Sequence, residues 1–379
     1  MSNWMVNYEM LDDDQKDFVD KEINNRGNIW IKGFAGSGKS VMLIHALRKK
    51  LNENQNINVC VVVYTHSLID MFKTGIAELG MKSVPVMTYH QFMKDTKRWD
   101  YIFCDEVQDL PTDVLTAMKN RCPNVHVAGD ANQSIYENKV STSEIGNVLN
   151  ARPFVLTRIY RLTRSIMAAV SNFLPNLDIF GARRDMTKKD VSIRLNKALS
   201  EEDEVKYVWE QAKDATSEGY STVVLLPMHE HIEKFVNLLL KINGKSRWTP
   251  TTNHFDSIDY LPLNKHFLNN GIKAEYVGNG YGSFQNASKS RNLIIMTYHS
   301  SKGMDFDNVF LPFLSDNLKF PRYEPQTLFM VALTRSKMNL FITYSGYLHD
   351  YVKKFESSCQ RVSISENNSN KKNLSFDEW

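Results

Sequence analysis

Short apolar runs alternate with longer amphipathic stretches along the first 150 residues of the chain. The apolar runs end in polar residues or glycine, which is typical of buried strands, whereas the stretches between them have the length and pattern of helices. The predicted strands are 28–32, 58–65, 84–87, 101–104 and 125–128, and the predicted helices begin near residue 11 and cover 41–50 and 68–79. Strands joined by helices predict an α/β fold with a parallel sheet, whose polar groups meet at the carboxyl edge.

The alternation continues more loosely beyond residue 150 and predicts a second α/β domain. Its predicted strands are 223–226, 293–296 and 341–344, and its predicted helices are 229–241 and 325–337. We therefore expect domains at 1–150 and 151–356. Residues 243–263 are rich in Asn, Thr and Pro and lack clear periodicity, which predicts an irregular insertion. Residues 357–379 are rich in Ser, Asn and Lys, which predicts a mobile tail.

The composition is typical of a soluble globular protein with nearly balanced charge. The chain has 379 residues, of which 42% are hydrophobic and 23% charged, and its net charge is +3. Any basic surface for nucleic acid must therefore be local. No secretory signal is visible, and no apolar run approaches the roughly 18 residues of a membrane span. We expect a cytoplasmic protein without a membrane partner, with Cys60 and Cys104 as buried thiols.

A glycine-rich turn joins the first predicted strand to its helix. Its sequence follows the pattern G-x-x-x-x-G-K-S, which directs backbone N–H groups and a helix N-terminus at one small volume. Lys39 is expected to contact the β- and γ-phosphates of ATP, and Ser40 is expected to ligate Mg²⁺. A chance glycine-rich turn is the alternative, but strand, loop and helix agree against it. The predicted cofactor-binding residues of this loop are Gly33, Ala35, Gly36, Ser37, Gly38, Lys39 and Ser40.

Acidic and amide side chains follow two later predicted strands. Asp105 and Glu106 follow strand 101–104, and a hydrolytic nucleotidase needs one carboxylate for Mg²⁺ and another for the attacking water. We expect Asp105 to ligate the metal and both to be catalytic, although an acidic pair at a strand end is often only a helix cap. Gln133 follows strand 125–128 and is a candidate to contact the γ-phosphate, against the alternative of a solvated loop glutamine.

Two arginines in the second predicted domain are candidates for stabilising the transition state. Phosphoryl transfer spreads negative charge over equatorial oxygens, and an arginine directed there raises the rate by about 10³–10⁵. Arg161 and Arg335 are the candidates, although most arginines are merely solvated surface charges. Supplied from a second domain, they would make hydrolysis depend on domain closure.

Together these segments resemble, in order, the motifs of superfamily 1 helicases of the UvrD, Rep and PcrA type. The D-E-x-Q-D form of residues 105–109 is the most discriminating, whereas Ile159 replaces the family's Asn before Tyr160. The resemblance implies two RecA-like P-loop lobes with the nucleotide cleft between them, and an ATP-dependent helicase or translocase. The matching segments are Gln15, 33–40, 64–66, 88–92, 105–109, 129–136, 160–161, 297–306 and 331–337.

The resemblance also implies roles for individual residues. Gln15 would read adenine and Tyr160 would stack on it. Gly303 and Asp305 would complete the nucleotide site, with Asp305 where the family commonly has a ribose-binding Glu. The residues expected to grip single-stranded nucleic acid are Thr65, His66, Thr88, His90, Tyr136, Thr297 and His299.

Two departures from the family narrow the expected activity. The residues after Tyr136 do not include the Trp that often stacks on a base, and that removes one stacking contact. We expect the large accessory domains 1B and 2B to be missing, because Phe92 is followed almost directly by strand 101–104 and residues 271–284 run almost directly into segment 297–306, which resembles motif V. We expect translocation on a single strand, in the 3′→5′ direction by family analogy, to exceed unwinding of long duplexes.

Three functions follow from this pattern. The first is an ATPase stimulated by single-stranded nucleic acid, with DNA favoured over RNA. The second is a regulatory ATPase subunit that gates a protein partner such as a nuclease, for example in phage defence or recombination. The third, a nucleic-acid-binding protein that has lost hydrolysis, is disfavoured by the acidic pair and both arginines.

Overall fold

A computed structural model describes residues 5–130, 134, 140–160, 162–175, 183–184, 190–254 and 256–363. The contacts within the chain divide it into two compact units, with the division near residue 161.

The N-terminal unit contains a parallel sheet of six strands in its described part. Its helices are α1 (Asp13–Asp20), α2 (Lys39–Glu53), α3 (His66–Glu78), α4 (Tyr89–Lys94), α5 (Thr112–Arg121) and α6 (Thr142–Leu149). Its strands are β1 (Ile29–Gly33), β2 (Val59–Val63), β3 (Val86–Thr88), β4 (Tyr101–Cys104), β5 (Val125–Gly129) and β6 (Arg152–Leu156). The strand order is β3-β2-β4-β5-β1-β6. A separate parallel pair joins β7 (Arg158–Ile159) to β8 (Arg183–Arg184).

Both faces of this sheet are covered, which explains the continuous apolar runs. All five residues of β2 are buried. Successive residues of β1 enter different cores, since Ile31 packs in the cluster that contains Phe72 of α3, whereas Trp30 packs in the cluster that contains Leu115 of α5. A strand buried on both faces has apolar residues at successive positions, so its sequence lacks the alternation of apolar and polar residues.

The C-terminal unit contains a parallel sheet of seven strands in its described part. Its helices are α7 (Arg164–Phe173), α8 (Glu201–Ser217), α9 (His229–Ile242), α10 (Leu261–Asn269), α11 (Phe284–Lys289), α12 (Pro325–Leu333) and α13 (Asp350–Lys353). Its strands are β9 (Ser192–Ala198), β10 (Thr222–Leu226), β11 (Thr251–Thr252), β12 (Ile258–Asp259), β13 (Ala274–Tyr276), β14 (Leu293–Thr297), β15 (Phe306–Leu311), β16 (Ser336–Ser345) and β17 (Gln360–Ser363). The order in the sheet is β13-β14-β10-β15-β16-β9-β17, and β11 pairs only with β12.

Two parallel α/β sheets confirm the predicted fold class of two RecA-like lobes. The division between them nevertheless lies later than the predicted boundary at residue 150. Strand β6 pairs with β1 from Ile29↔Arg152 to Gly33↔Leu156 and so belongs to the first sheet. Tyr160, which we assigned to the second domain, therefore belongs to the N-terminal unit.

Two segments that we predicted to be irregular have defined structure. The insertion at 243–263 contains the β11–β12 hairpin and the start of α10. Its Trp248 ring stacks on Tyr260 with centroids 5.9 Å apart, and Tyr260 stacks on Tyr276 at 3.5 Å. The predicted mobile tail, 357–379, includes residues that have defined structure, because β17 (Gln360–Ser363) pairs in parallel with β9. Residues from 364 onward lie outside the described part of the chain.

The two predicted buried thiols and the helices of the described residues bear on two further expectations. Cys60 and Cys104 are free and fully buried, as expected for small apolar side chains. Among the helices described, none has the combined length and apolar character that a membrane crossing requires.

Glu204 is a fully buried carboxylate that connects three elements of the C-terminal unit. Its Oε2 atom, on α8, accepts hydrogen bonds from the backbone N–H of Phe313 (2.8 Å) and the hydroxyl of Thr343 in β16 (2.7 Å). Phe313 follows β15 and has a left-handed backbone with φ 65°. Burial raises the pKa of Glu204 above its ordinary value. The carboxylate therefore holds a strained turn against the neighbouring strand.

Replacing Glu204 with alanine should destabilise the C-terminal unit. We expect Glu204→Ala to lower the free energy of unfolding by about 2–4 kcal/mol, because two buried donors lose their acceptor and a cavity remains. Urea unfolding followed by circular dichroism measures this loss. Glu210→Ala, on the exposed face of the same helix, is the control and should unfold like the wild type. Equal losses in both variants would contradict the role of Glu204.

Candidate active site

The phosphate loop lies between β1 and α2, where the sequence predicts it. Gly36 and Gly38 have left-handed backbones, with φ 77° and 87°, so the turn requires residues without a Cβ. Lys39 donates hydrogen bonds from Nζ to the carbonyl oxygens of Gly33 (2.7 Å) and Phe34 (3.0 Å). The hydroxyl of Ser37 is buried and has no hydrogen-bond partner among the described residues. The loop thus holds a cation and an unsatisfied hydroxyl at the start of a helix, which suits a phosphate group.

The acidic pair after β4 meets this loop. The hydroxyl of Ser40 donates a hydrogen bond to Asp105 Oδ2 at 2.6 Å, and the backbone N–H of Glu106 donates to Asp105 Oδ1 at 3.0 Å. Asp105 is fully buried. Burial raises the pKa of Asp105 and the charge of Glu106 raises it further, whereas Ser40 and Lys39 oppose the rise. A cation at this position would compensate the buried negative charge.

Ser40 and Asp105 fit the magnesium site that the sequence predicts. Their two oxygen atoms are in contact, and hard divalent cations prefer oxygen ligands. No group of three or more His, Cys, Asp or Glu side chains suited to a metal occurs in the described ranges. Mg²⁺ is usually held by one or two protein groups together with water and substrate phosphates.

Glu106 has a backbone conformation that is rare for its residue type. Its φ of 53° and ψ of 43° lie in the left-handed region. Its Oε2 atom accepts a hydrogen bond of 2.5 Å from Nε2 of Gln108, which is fully buried. Strained backbone of this kind is concentrated at functional sites. Gln108 occupies the fourth position of the D-E-x-Q-D motif, and we predicted no role for it from the sequence.

Gln15 and Tyr160 lie beside the phosphate loop, and one carboxylate positions both. Asp12 caps α1 by accepting from the backbone N–H of Gln15 (2.8 Å), while its other oxygen accepts from the hydroxyl of Tyr160. The backbone N–H of Tyr160 donates to the carbonyl of Gly36 at 2.8 Å. The Nε2 atom of Gln15 would lie 2.7 Å from a Cβ at Gly38. The sequence signal for Asp12 was the capping box D-x-x-Q, which we read only as a helix start.

Four predicted nucleic-acid residues lie at the ends of two neighbouring strands of the N-terminal sheet: Thr65, His66, Thr88 and His90. Thr65 and His66 follow β2, and Thr88 caps α4 after the neighbouring strand β3. The side chains of His66 and His90 are exposed. The Tyr89 ring bridges this edge, because it lies 5.2 Å from Tyr64 and 4.0 Å from His90 between centroids. The contacts with nucleic acid remain predictions.

Arg335 joins two of the segments that resemble the family, 297–306 (motif V) and 331–337 (motif VI), in the C-terminal unit. Its guanidinium is buried and donates to the carbonyl oxygens of Val331 (2.8 Å) and Met304 (2.9 Å) and to the hydroxyl of Thr334 (2.9 Å). Met304 lies between the two predicted nucleotide contacts, Gly303 and Asp305. The role of Arg335 at the γ-phosphate remains a prediction.

The predicted nucleic-acid residues of motif V follow β14. The hydroxyl of Thr297 accepts from the backbone N–H of Ser300 at 3.1 Å, which fixes the start of this turn. Burial lowers the pKa of His299 to about 4, so its ring is neutral at physiological pH. Three further predictions, Gln133, Tyr136 and Arg161, lie outside the described residues.

Comparisons with protein families agree with this arrangement. Residues 29–223, more than half of the chain, match the viral superfamily 1 RNA helicase core domain. Residues 251–347 match the UvrD-like helicase C-terminal domain.

Individual relatives are distant. The "Putative ATP-dependent DNA helicase R568" of Acanthamoeba polyphaga mimivirus is 23% identical over 276 residues, covering 68% of this chain and 36% of that protein. The solved Arterivirus nonstructural protein 10 (helicase) is 13% identical, with a TM-score of 0.44, covering 88% of this chain and 62% of that one. The solved PRRSV helicase is 14% identical, with a TM-score of 0.43, covering 84% of this chain and 52% of that one.

The chain spans about a third of the length of the curated relative and between half and two thirds of the solved helicases. The phosphate loop meets the acidic pair within the residues that the core-domain family matches. With more than half of its length matched by the core-domain family, the chain belongs to the superfamily 1 helicases, a family of ATP-hydrolysing enzymes.

Proposed function

We propose that this protein hydrolyses ATP with Mg²⁺ and couples hydrolysis to 3′→5′ movement along single-stranded nucleic acid, with DNA favoured over RNA. The observation that carries the proposal is the contact of Ser40 with Asp105, since it brings the phosphate loop against the acidic pair. The preference for DNA is supported by the name of the mimivirus relative.

The nucleotide would bind along one side of the N-terminal unit. The backbone N–H groups of the loop and Nζ of Lys39 would hold the phosphates, with Lys39 exchanging its carbonyl partners for phosphate oxygens. The amide of Gln15 carries the acceptor and donor that the N6 and N7 atoms of adenine require. The ring of Tyr160 is held beside it through Asp12. The base and the phosphates would therefore be bound by elements of the same unit.

Ser40 and Asp105 would hold Mg²⁺, which neutralises charge on the phosphate oxygens when bound. Glu106 would orient the attacking water and accept its proton. Its side chain is largely buried, with 8% exposed, and its carboxylate is already held by Gln108, so little reorganisation is needed. Arg335, Arg161 and Gln133 would contribute at the γ-phosphate, as the family resemblance implies.

Single-stranded nucleic acid would contact residues at the carboxyl edge of each sheet. The side chains of Thr65, His66 and His90 offer phosphate contacts, and the exposed histidine rings also offer stacking surfaces. Thr297 and His299 occupy the equivalent edge of the other sheet. Contacts of these kinds are indifferent to base sequence, which suits a protein that moves along a strand.

Loss of Lys39 tests hydrolysis directly. We expect Lys39→Ala to lower ATP turnover by roughly 100-fold or more, because a fixed cation at the phosphates is removed. Phosphate release in the presence of a single-stranded oligonucleotide measures it. Lys119→Ala, an exposed lysine of α5, is the control and should retain wild-type turnover. Equal ATP turnover in the wild type and Lys39→Ala would contradict the proposal.

The two exposed histidines at the N-terminal sheet edge test the nucleic-acid surface. We expect the double variant His66→Ala, His90→Ala to need about 5- to 10-fold more single-stranded DNA for half-maximal stimulation, the effect of roughly 1 kcal/mol of lost contact. Basal ATP turnover should not change. Titrations with single-stranded DNA, single-stranded RNA and duplex DNA measure both quantities. ATP turnover that is unchanged by single-stranded DNA, single-stranded RNA and duplex DNA would favour a regulatory ATPase subunit instead.

The buried charge of Asp105 predicts a pH-dependent effect on stability. Because its folded pKa is raised, the folded state gains stability from Asp105 at pH values below about 4 and loses it as the pH rises through the folded pKa. We expect Asp105→Asn, without nucleotide or Mg²⁺, to be more stable than wild type by roughly 1–3 kcal/mol at pH 8, with a smaller gain at pH 5. Thermal unfolding at both values measures this.

The control for Asp105 is Asp214→Asn, which changes an exposed carboxylate of α8 in the same way. Asp214 is exposed, and exposed substitutions change stability little, so this variant should unfold like the wild type at both pH values. A gain for Asp105→Asn that is equal at pH 5 and pH 8 would show that the buried charge is not its cause.

A further inference from the structure

Gln108 has two amide atoms with two different partners, the carboxylate of Glu106 and the backbone N–H of Asp130. It lies in the short 3₁₀ turn Val107–Asp109, immediately after Glu106, and its side chain is fully buried. Its Nε2 atom donates to Glu106 Oε2 at 2.5 Å. Its Oε1 atom accepts from the backbone N–H of Asp130 at 3.1 Å. One side chain thus connects the catalytic carboxylate to the end of the neighbouring strand β5.

The backbone of Gln108 strengthens this connection. Its carbonyl oxygen accepts from the N–H of Val140 at 3.1 Å. Asp130 and Val140 flank residues 131–139, so Gln108 is bonded to the described residues on both sides of that stretch. The last residue of β5 is also adapted to Gln108, because a Cβ at Gly129 would overlap Gln108 Oε1 and lie 2.8 Å from Val107 Cγ1. The approach of β5 to this amide therefore requires glycine.

The orientation of the amide is fixed by its two partners. A swapped amide would place an oxygen against the Glu106 carboxylate and an NH₂ group against the Asp130 N–H, and neither pair can form a hydrogen bond. Asn is one methylene shorter and cannot span both partners. A Glu at position 108 keeps an acceptor for Asp130 but places a second carboxylate against Glu106. Only the glutamine amide satisfies both sides.

We propose that Gln108 is a positioning residue that sets the orientation of the Glu106 carboxylate according to the position of Asp130 at the end of β5. The inference rests on the proposed ATP hydrolysis and extends it to how the water-activating group is controlled. A shift of the Asp130 backbone pulls on Oε1 and turns the amide, and the turned amide releases or redirects Glu106. Asp130 lies in segment 129–136 (motif III) and Gln108 in segment 105–109 (motif II), so the bond between them links these two motifs.

The position of Gln108 predicts which kinetic quantity it controls. The described contacts of Gln108 are with Glu106 and with backbone at Asp130 and Val140, and none is with the phosphate loop. Its loss should therefore affect the chemical step and leave nucleotide binding unchanged. Groups that orient a catalytic side chain typically change the rate by about 10- to 100-fold.

The test compares Gln108→Glu with wild type. We expect kcat for ATP to fall about 10- to 100-fold, while KM and the affinity for a fluorescent ATP analogue stay within about twofold, because only the bond to Glu106 is broken. Gln108→Met, of similar length without either hydrogen bond, should show the same loss. Gln55→Glu, an exposed glutamine with the same change of charge, is the control and should match wild type.

The outcomes separate this inference from the proposed function. If wild type itself fails to hydrolyse ATP, the proposed function fails. If wild type hydrolyses ATP and Lys39→Ala does not, but both Gln108 variants keep wild-type kcat or change only KM, the positioning role is overturned. Bound fluorescent ATP analogue shows that a variant is folded, and failure of both variants to fold would assign Gln108 to the core alone and also overturn the inference.

Discussion

The hydrogen bond between Ser40 and Asp105 is the constraint on which the rest of the site depends. The two residues are 65 positions apart, one at the start of α2 and the other after β4. Strand β5 lies between β1 and β4 in the sheet, so the bond forms only when the strands have assembled in this order and α2 crosses over them. It also offsets part of the cost of burying Asp105, because a hydrogen bond to a carboxylate favours its charged form. The hydrogen bond thus opposes part of the rise in the pKa of Asp105 that burial causes.

Two neighbouring carboxylates are given different environments by a single backbone turn. The side chain of Asp105 is directed at α2. The left-handed backbone of Glu106 turns the Glu106 side chain toward Gln108 instead. An L-residue in this conformation costs about 1–2 kcal/mol, which the hydrogen bonds around it must offset. Adjacent residues can then serve as metal ligand and as water-orienting base, because the backbone between them separates their partners.

The sequence predicted the elements whose apolar runs are continuous, and it failed where buried strands carry polar residues. Strand β9 contains Arg194 and Asn196, both buried, and the Arg194 guanidinium lies 5.1 Å from the centre of the Phe341 ring. Such a contact depends on a strand far away in sequence, so local pattern cannot reveal it. The phosphate loop and acidic pair were predictable because each has a fixed local spacing. The roles of Asp12 and Gln108 were not, since they depend on Tyr160 and Asp130 arriving from other parts of the chain.

Strand β6 has a practical consequence for anyone who divides this chain into fragments. Its five residues form the outer strand beside β1, which itself leads into the phosphate loop. A fragment ending at residue 150 would lack β6 and would expose the hydrogen-bonding edge of β1. An exposed strand edge can pair with a strand of another molecule, so we expect such a fragment to self-associate through β1, which leads into the phosphate loop. Residue 160 is a safer end point, because it also keeps Tyr160 attached to Asp12.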